Sequence, residues 1–201
     1  MGAVLEMMRN LVILTLVLLA ACSRPAPDVR SQISRAQLNE VTEPLMLAEL
    51  DGLGTAAGVT RVATNGDIVT WQTGDKVGLS FRSGVLVATR GLGQDLISAD
   101  VSHTRAALRG ERQGYYTKFH SYLDGEHQTR FRSFQCIVTA RTAEQIVIFE
   151  RVHATTKVEE TCHSPGLRVD NAYWFGDGIM WKSKQWVSPF AGYLLTERLV
   201  R

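Results

Sequence analysis

The sequence lacks the features that define several large classes of protein. It contains no heptad pattern, no low-complexity tract and no internal repeat, so neither a coiled coil nor a solenoid is indicated. Its 22 basic and 20 acidic residues leave a formal net charge of +2, which is too balanced to predict nucleic-acid binding. About 180 residues remain once an N-terminal segment is set aside, a length that suits one domain with a sizeable core.

Motifs for catalysis and cofactor binding are also missing. Ser164 has no Gly-x-Ser-x-Gly elbow around it, and the glycine-rich segment 91–96 has Leu96 where a dinucleotide-binding fingerprint needs its third glycine. Glu159 and Glu160 are adjacent, so a strand would place them on opposite faces. The sequence therefore favours a protein that is not an enzyme and has no cofactor.

One enzymatic alternative stays open. A glycosidase needs two carboxyl groups about 5–9.5 Å apart across a cleft. Asp170 with Asp177, or Asp95 with Glu111, could supply such a pair. Because turn and cross-strand charges explain these residues more simply, we predict no catalytic residue.

The N-terminal segment has the layout of a secretory signal. Arg9 supplies a positive charge, and an apolar run from Leu11 to Ala21, interrupted only by Thr15, follows it. This run is shorter than the about 20 apolar residues that a transmembrane helix needs. It ends in Ala20-Ala21-Cys22, a small-small-cysteine pattern that resembles the bacterial lipobox. We therefore expect cleavage before Cys22 and attachment of lipid to its thiol.

The lipobox divides the chain into three parts. Residues 1–21 form the lipoprotein signal peptide, 22–43 the lipidated cysteine and its tether, and 44–201 a single β-rich domain. The true start stays open among three methionines: Met1, Met7 and Met8. Two lipid signals suffice for stable anchoring, and Ser23 replaces the aspartate that resembles an inner-membrane retention signal. We expect a lipid-anchored protein of the outer membrane that faces the periplasm.

The other two cysteines predict a disulfide. With Cys22 assigned to lipid, Cys136 and Cys162 remain in an oxidising compartment where thiols normally pair. Closing this loop would stabilise the fold by about 3.5 kcal/mol in the chain-entropy model. A zinc site with the nearby His153 and His163 is the weaker alternative, because no C-x-x-C or H-x-x-x-H spacing is present. We therefore predict no metal.

The mature chain carries the pattern of an all-β fold. Turn signals such as Asn65-Gly66 and Ser83-Gly84 recur at strand spacing between segments rich in valine, isoleucine, threonine and aromatics. Segment 95–110 is less regular, and Thr104–Leu108 could add a helical turn. Apolar residues occupy both faces around Ile146–Phe149, so that strand is covered on both sides. These features predict an antiparallel meander curled into a sandwich or half-open barrel, preceded by a cleaved signal helix.

Two of the last three predicted strands suggest a binding surface. A three-residue loop at 176–178 would make Phe175 face Ile179 and would pair apolar with apolar residues. One polar face would then carry two tryptophans and three cations: Trp174, Trp186, Lys182, Lys184 and Arg168. Aromatic surface beside cations suits an anionic polysaccharide, through stacking on sugar faces and pairing with carboxylates or phosphates. The alternative is that both tryptophans belong to the core while the lysines extend past them.

Several of these segments together resemble a known family. They are the lipobox at Cys22, Gly66-Asp67-Ile68-Val69-Thr70-Trp71, Gly84 to Thr89 leading into Arg90-Gly91-Leu92-Gly93-Gln94-Asp95-Leu96, the Cys136 and Cys162 pair, Asn171-Ala172-Tyr173-Trp174, and Trp181-Lys182-Ser183-Lys184-Gln185-Trp186-Val187-Ser188-Pro189. They resemble the YjbF/GfcB family of lipoproteins over about Leu45–Leu199, and the last motif is the most specific. The resemblance implies an antiparallel β-fold and a role with exopolysaccharide or group 4 capsule operons, without catalytic residues to transfer.

The sequence and the resemblance together predict a function. We expect an outer-membrane-anchored periplasmic lipoprotein that assists exopolysaccharide or capsule production or export by binding polysaccharide or an assembly partner. Its predicted partners are the membrane, through the lipid, an anionic polysaccharide and exopolysaccharide export proteins. Two alternatives stay open: a polysaccharide-modifying enzyme, and a structural lipoprotein that only holds other proteins.

Overall fold

The described part of the chain is built almost entirely of β-strands. The computed structural model describes residues 29–201, so the predicted signal peptide and Cys22 lie outside the described residues. Two short helices, α1 (Val29–Gln32) and α2 (Arg35–Glu40), precede the strands, and α3 (Ser102–Leu108) follows the sixth strand. The strands are β1 (Leu45–Leu50), β2 (Thr55–Asn65), β3 (Ile68–Gln72), β4 (Gly78–Arg82), β5 (Val85–Arg90), β6 (Leu96–Asp100), β7 (Tyr116–Leu123), β8 (Thr129–Ile148), β9 (Arg151–Ser164), β10 (Leu167–Gly176), β11 (Ile179–Ser188) and β12 (Gly192–Val200). A 3₁₀ turn at Asp51–Leu53 joins β1 to β2.

All twelve strands form one antiparallel sheet. Its order is β5-β4-β3-β2-β1-β12-β11-β10-β9-β8-β7-β6, so two meanders meet where β1 pairs with β12. The predicted all-β antiparallel fold is confirmed.

The two edge strands of this sheet approach each other. The Leu96 amide donates to the Thr89 hydroxyl at 2.9 Å, and the Arg90 guanidinium donates to the Leu96 carbonyl at 3.3 Å. Asp95 caps the intervening glycine-rich loop by accepting from the Gly91 amide at 3.0 Å. The sheet therefore curls into a nearly closed barrel, which agrees with the predicted curled sheet.

Alternation along the strands sorts side chains between the interior and the outer surface. On β9, Val158, Glu160 and Cys162 are almost completely buried. The Glu159 side chain, between two of them, is 42% exposed, as alternation requires. The prediction that Glu159 and Glu160 face opposite ways is confirmed.

Part of the predicted tether is a helix. Ser34 accepts from the Gln37 amide while the Gln37 side chain accepts from the Ser34 amide, a capping box that fixes the start of α2. Leu38 is buried, and Arg35 donates to the carbonyls of Ile148 and Phe149 at the β8–β9 turn. Helix α2 thus lies within the predicted tether 22–43, where its cap and one buried apolar side chain dock it.

The described helices are short. Within residues 29–201, none is long and apolar enough to span a membrane. Helix α3 agrees with the helical turn predicted at Thr104–Leu108.

The predicted register between β10 and β11 is wrong. Asp177 and Gly178 both have positive φ, so they form a two-residue turn, and Gly176 pairs with Ile179. A bulge then leaves Trp181 unpaired, and Tyr173 pairs with Ser183. Asp177 adopts the left-handed backbone conformation that asparagine and aspartate tolerate. The loop is therefore one residue shorter than predicted, and the apolar pairing predicted for a three-residue loop does not form.

Candidate functional site

The structure separates the two tryptophans that were predicted to share a surface. Trp186 is only 7% exposed and stacks on His120 in the interior, with ring centroids 5.8 Å apart. Its amide donates to the Asn171 side chain at 2.8 Å instead of continuing the ladder with β10. A second irregularity, between Trp186 and Ser188, disturbs the pairing with β12. The placement of Trp186 on the polar face is therefore wrong, because a local break in the pairing reverses the alternation.

The other four predicted residues do share one surface. We call this surface the outer lysine face: Trp174, Lys157, Lys182, Lys184 and Arg168. Trp174 is 8% exposed, with the ammonium groups of Lys157 and Lys182 each 5.6 Å from its ring. The lysines therefore cover the indole, and little aromatic surface is left for stacking on a sugar.

Acidic neighbours neutralise most cations of the outer lysine face. Lys157 pairs with Glu159 at 2.9 Å and Lys182 pairs with Glu197 at 2.9 Å. Arg168 pairs with Asp170 at 3.1 Å. Lys184 instead lies over the Tyr193 ring, 4.4 Å from its centroid. Most cations on this face are paired with carboxylates, so the face attracts an anionic ligand only weakly.

The interior holds a carboxylate that is completely buried. We call it and its neighbours the glutamate cluster: Glu160, Thr104, Tyr116, Lys118, Asn171 and Tyr173. Glu160 accepts from the Tyr116 hydroxyl at 2.6 Å and from the Lys118 ammonium at 2.7 Å. Asn171 and Tyr173 donate to the same oxygen as Lys118, at 2.7 and 3.1 Å, whereas Tyr116 donates to the other oxygen. Every lone pair that this carboxylate can offer is engaged, so the cluster is a structural element.

The pKa shifts in the glutamate cluster follow from this arrangement. Burial alone would raise the pKa of Glu160, but Lys118 and the hydrogen bonds outweigh burial and lower it. Burial and the neighbouring Glu160 charge raise the pKa of Tyr116 and of Tyr173. Burial, with Lys118 nearby, lowers the pKa of His120 to about 3. Glu160 is therefore ionised and His120 neutral at physiological pH.

The predicted disulfide lies beside this cluster. Cys136 and Cys162 face each other on β8 and β9 and are bonded to one another. Their sulfur atoms lie within 4.8 Å of a Glu160 oxygen, but bonded sulfurs cannot act as thiolate ligands for zinc. His153 instead packs on Trp181, with ring centroids 3.8 Å apart. Cys136 and Cys162 are therefore not available as zinc ligands, which removes the basis of the zinc alternative.

The carboxyl pairs of the enzymatic alternative are engaged separately. Their partners are Arg168 for Asp170, Arg201 for Asp177, the Thr89 hydroxyl for Asp95 and Arg109 for Glu111. Neither pair forms a common acid–base site in the described residues. The structure therefore offers no support for the glycosidase alternative through these residues.

A different cleft combines cations with apolar walls. We call it the arginine cleft, a space of about 580 Å³ whose lining includes Arg61, Arg198, Arg201, Trp71, Phe175 and Met180. Arg198 shares a face of β12 with the buried residues Leu194 and Thr196, and its guanidinium carbon lies 5.1 Å from the Trp71 ring centroid. Trp71 is 3% exposed, so it forms a rigid floor for the guanidinium.

Positive charge in the arginine cleft exceeds the negative charge of the described residues beside it. The Arg198 Nε is buried without a hydrogen-bond partner among residues 29–201. Burial, together with the charges of Arg61 and Arg201, lowers the pKa of Arg198. Asp67 also lines the cleft, but Arg82 and Arg105 hold it at 3.0 Å each. The arrangement can accept an anion, whereas the outer lysine face already carries its own counter-charges.

Sequence reasoning overlooked both interior sites. Glu160 lies on the same strand face as Val158 and Cys162, and Arg198 on the same face as Leu194. A charged residue in register with buried apolar residues was the signal that could have identified each one. What the sequence could not show was the partner across the barrel, since Lys118 and Trp71 come from distant strands.

A solved structure shares the fold of this chain. The structure is similar to the crystal structure of the hypothetical lipoprotein YmcC from Escherichia coli (K12), with a TM-score of 0.74. The match covers 89% of this chain and 98% of that chain at 16% sequence identity, so it shows the fold alone. No curated protein matches the sequence.

The family follows from the sequence itself. Residues 14–199 match the family described as group 4 capsule polysaccharide lipoprotein gfcB, YjbF, and the chain belongs to this family. The resemblance drawn from its motifs is confirmed. Membership places the chain among envelope lipoproteins associated with capsule polysaccharide.

Proposed function

We propose that the chain is an outer-membrane-anchored, periplasm-facing lipoprotein that assists capsule or exopolysaccharide export by binding the polysaccharide without altering it. The observation that carries this proposal is the arginine cleft, where uncompensated guanidinium groups stand beside apolar walls. Saccharides are held by such combinations of polar donors and flat apolar contacts. Family membership supplies the capsule context.

Anchoring belongs to the same proposal. The thiol of Cys22 would carry the lipid, and the residues after it would hold the β-domain near the membrane. A Cys22→Ala variant should then leave the membrane fraction, while the wild type stays with the outer membrane. Equal distribution of the two proteins after density-gradient fractionation would contradict the anchor.

Export is tested in a strain that lacks the gene and is complemented with defined variants. Wild type should restore surface polysaccharide, and Cys22→Ala or a double Arg61→Gln, Arg198→Gln variant should not. Arg168→Gln, on the outer lysine face, is the matched control and should restore export fully. Unchanged surface polysaccharide in the deletion strain would refute a role in export.

One observation favours a second candidate, the docking of an assembly partner. Phe119 and Phe131 are 52% and 82% exposed on the outer surface of β7 and β8, and their strand partners, Ser133 and Ser121, place them diagonally to each other. Tyr115 nearby is 67% exposed. If this surface docks an export protein, Phe119→Ser with Phe131→Ser should lower export while polysaccharide binding in vitro stays unchanged.

A further inference from the structure

The arginine cleft has the chemistry of a site for one class of sugar. We infer that it binds the carboxylate of an acidic sugar unit, with Arg198 and Arg61 as the recognising residues and Phe175 as part of the wall beside the ring. This inference rests on the proposed function and narrows it, because it names the ligand class and the residues.

Contacts within the chain hold Arg198 in place in the absence of ligand. Its guanidinium lies over Trp71, and Trp71 is fixed in the core. A stacked guanidinium presents its N–H groups in one plane, so little side-chain entropy remains to be lost on binding. The buried Arg198 Nε has no acceptor among the described residues, and an unsatisfied buried donor is costly. An oxygen ligand would remove this cost.

Positive charge predominates around the cleft. Five arginines lie in or beside the cleft: Arg61, Arg82, Arg105, Arg198 and Arg201. Against them stand Asp67, which is shared between two of these arginines, and Asp177, whose contact with Arg201 is 3.5 Å long and exposed. Arg61 has no carboxylate partner among the described residues. The surplus of positive charge attracts an anion and places it near Arg198.

The apolar walls and the volume of the cleft suit an acidic sugar better than a small inorganic anion. Phe175, Ile179 and Met180 are half-buried and line the same space. Apolar side chains contribute nothing to a bare phosphate, but they cover the C–H face of a pyranose ring. A volume of about 580 Å³ falls within the range of ligand pockets, about 300–1,000 Å³, and exceeds what one small ion requires. A planar carboxylate also matches the guanidinium fork.

The test compares one oligosaccharide with and without its carboxylates. A glucuronate-containing tetrasaccharide is titrated calorimetrically into the full mature lipoprotein in detergent micelles. The control ligand is the same tetrasaccharide with its carboxyl groups reduced to alcohols, and inorganic phosphate is the third ligand. We expect the acidic tetrasaccharide to bind at least tenfold more tightly than either of the others. Equal affinity for the reduced sugar, equal affinity for phosphate, or no binding of the acidic tetrasaccharide would overturn the inference.

Variants then locate the site. Arg198→Gln should weaken binding of the acidic tetrasaccharide at least tenfold, and Arg198→Lys should not restore it, since an ammonium lacks the planar fork. Arg168→Gln, which removes an arginine of the outer lysine face, should bind like the wild type. Should Arg198→Gln fail to fold, the exposed Arg61→Gln provides the same test. Wild-type affinity in both cleft variants would refute the site.

The outcomes also separate this inference from the proposed function. If the acidic tetrasaccharide binds at the cleft but deletion of the gene leaves export unchanged, the function fails and the ligand class stands. If export depends on the protein but the tetrasaccharide does not bind, the ligand class fails and the export role survives through another contact.

Discussion

Two charged regions on the interior face of the barrel differ in whether their buried charge is paired. In the glutamate cluster, Glu160 is 0% exposed and five side chains donate to it, including the buried ammonium of Lys118. In the arginine cleft, the buried Nε of Arg198 lacks an acceptor among the described residues, and other arginines crowd it. Described residues pair the charge of the first region fully, whereas in the second region they carry more positive than negative charge.

In a fold without a catalytic motif, the presence or absence of a counter-charge can separate a structural charge from a binding charge. A buried ion that is paired and fully hydrogen-bonded contributes to holding the core in one arrangement. A partly buried ion left without a counter-charge costs stability, and such costs are retained where function needs them. We therefore assign a structural role to Glu160 and a ligand-binding role to Arg198.

The largest effect is expected in the glutamate cluster. Glu160→Gln removes the negative charge and leaves the Lys118 ammonium buried without its partner. We expect the free energy of unfolding, measured by urea denaturation, to fall by about 3–5 kcal/mol. Glu159→Gln, the exposed neighbour on the same strand, should change it by less than about 1 kcal/mol. A small loss in Glu160→Gln would show that the cluster is not structural.

The pH dependence of stability tests the interior around the glutamate cluster. Burial lowers the pKa of His120 to about 3, whereas an unfolded histidine titrates near 6.5. The unfolded state therefore takes up a proton below about pH 6.5 and the folded state does not, so stability is complete above that pH and falls on acidification. Between pH 6.5 and 4 this group should cost about 3 kcal/mol.

His120→Phe keeps an aromatic ring against Trp186 and removes the titration. Urea denaturation at a series of pH values should show a flatter acid limb in this variant, while Glu160, whose pKa is lowered, still contributes loss at more acidic pH. An unchanged slope in His120→Phe would mean that His120 takes up its proton in the folded state.

The arginine cleft should respond with the opposite sign. Arg198→Met keeps the side-chain stem over Trp71 and removes a crowded, partly buried charge. We expect the free energy of unfolding to rise by about 1–2 kcal/mol in the absence of ligand, since replacing buried charges by apolar groups is often stabilising. A loss of stability would show that Arg198 is a structural residue like Glu160, and the comparison would fail.

The smallest effect is expected on the outer lysine face. Arg168 and Asp170 form an ion pair whose side chains are 62% and 55% exposed. Arg168→Gln should change the free energy of unfolding by less than about 0.5 kcal/mol, because solvent already screens the pair. A change above about 1 kcal/mol in thermal or urea denaturation would give this face a structural importance that its exposure does not suggest.

Local patterns predicted much of the fold. Ser83 and Gly84, with positive φ at both positions, form the two-residue turn indicated by the sequence, and Cys136 meets Cys162. The strand register was harder, because Asp177 can adopt a positive φ and shorten the turn by one residue. The bulge at Trp181 returned Lys182 and Lys184 to the face of Trp174, and the irregularity at Trp186 removed the second tryptophan from the predicted surface.

The candidate site itself depended on contacts that no local pattern contains. The Arg198 guanidinium on β12 lies over the Trp71 ring on β3. This contact forms because β12 pairs with β1 in the sheet. Alternation could place Arg198 toward the interior, but only the closed sheet shows that no carboxylate among residues 29–201 forms an ion pair with it. The distribution of counter-charges, which separates a binding region from a compensated surface, is a property of the assembled barrel.

The central claim is that the uncompensated charge of the arginine cleft serves to bind an anion. The most direct measurement is the free energy of unfolding of wild type and Arg198→Met, with and without the glucuronate-containing tetrasaccharide. A ligand at 100 times its dissociation constant should stabilise the wild type by about 2.7 kcal/mol and leave Arg198→Met unchanged, so that the ligand removes or reverses the stability advantage of the variant. Equal stabilisation of both proteins, or of neither, would contradict the claim.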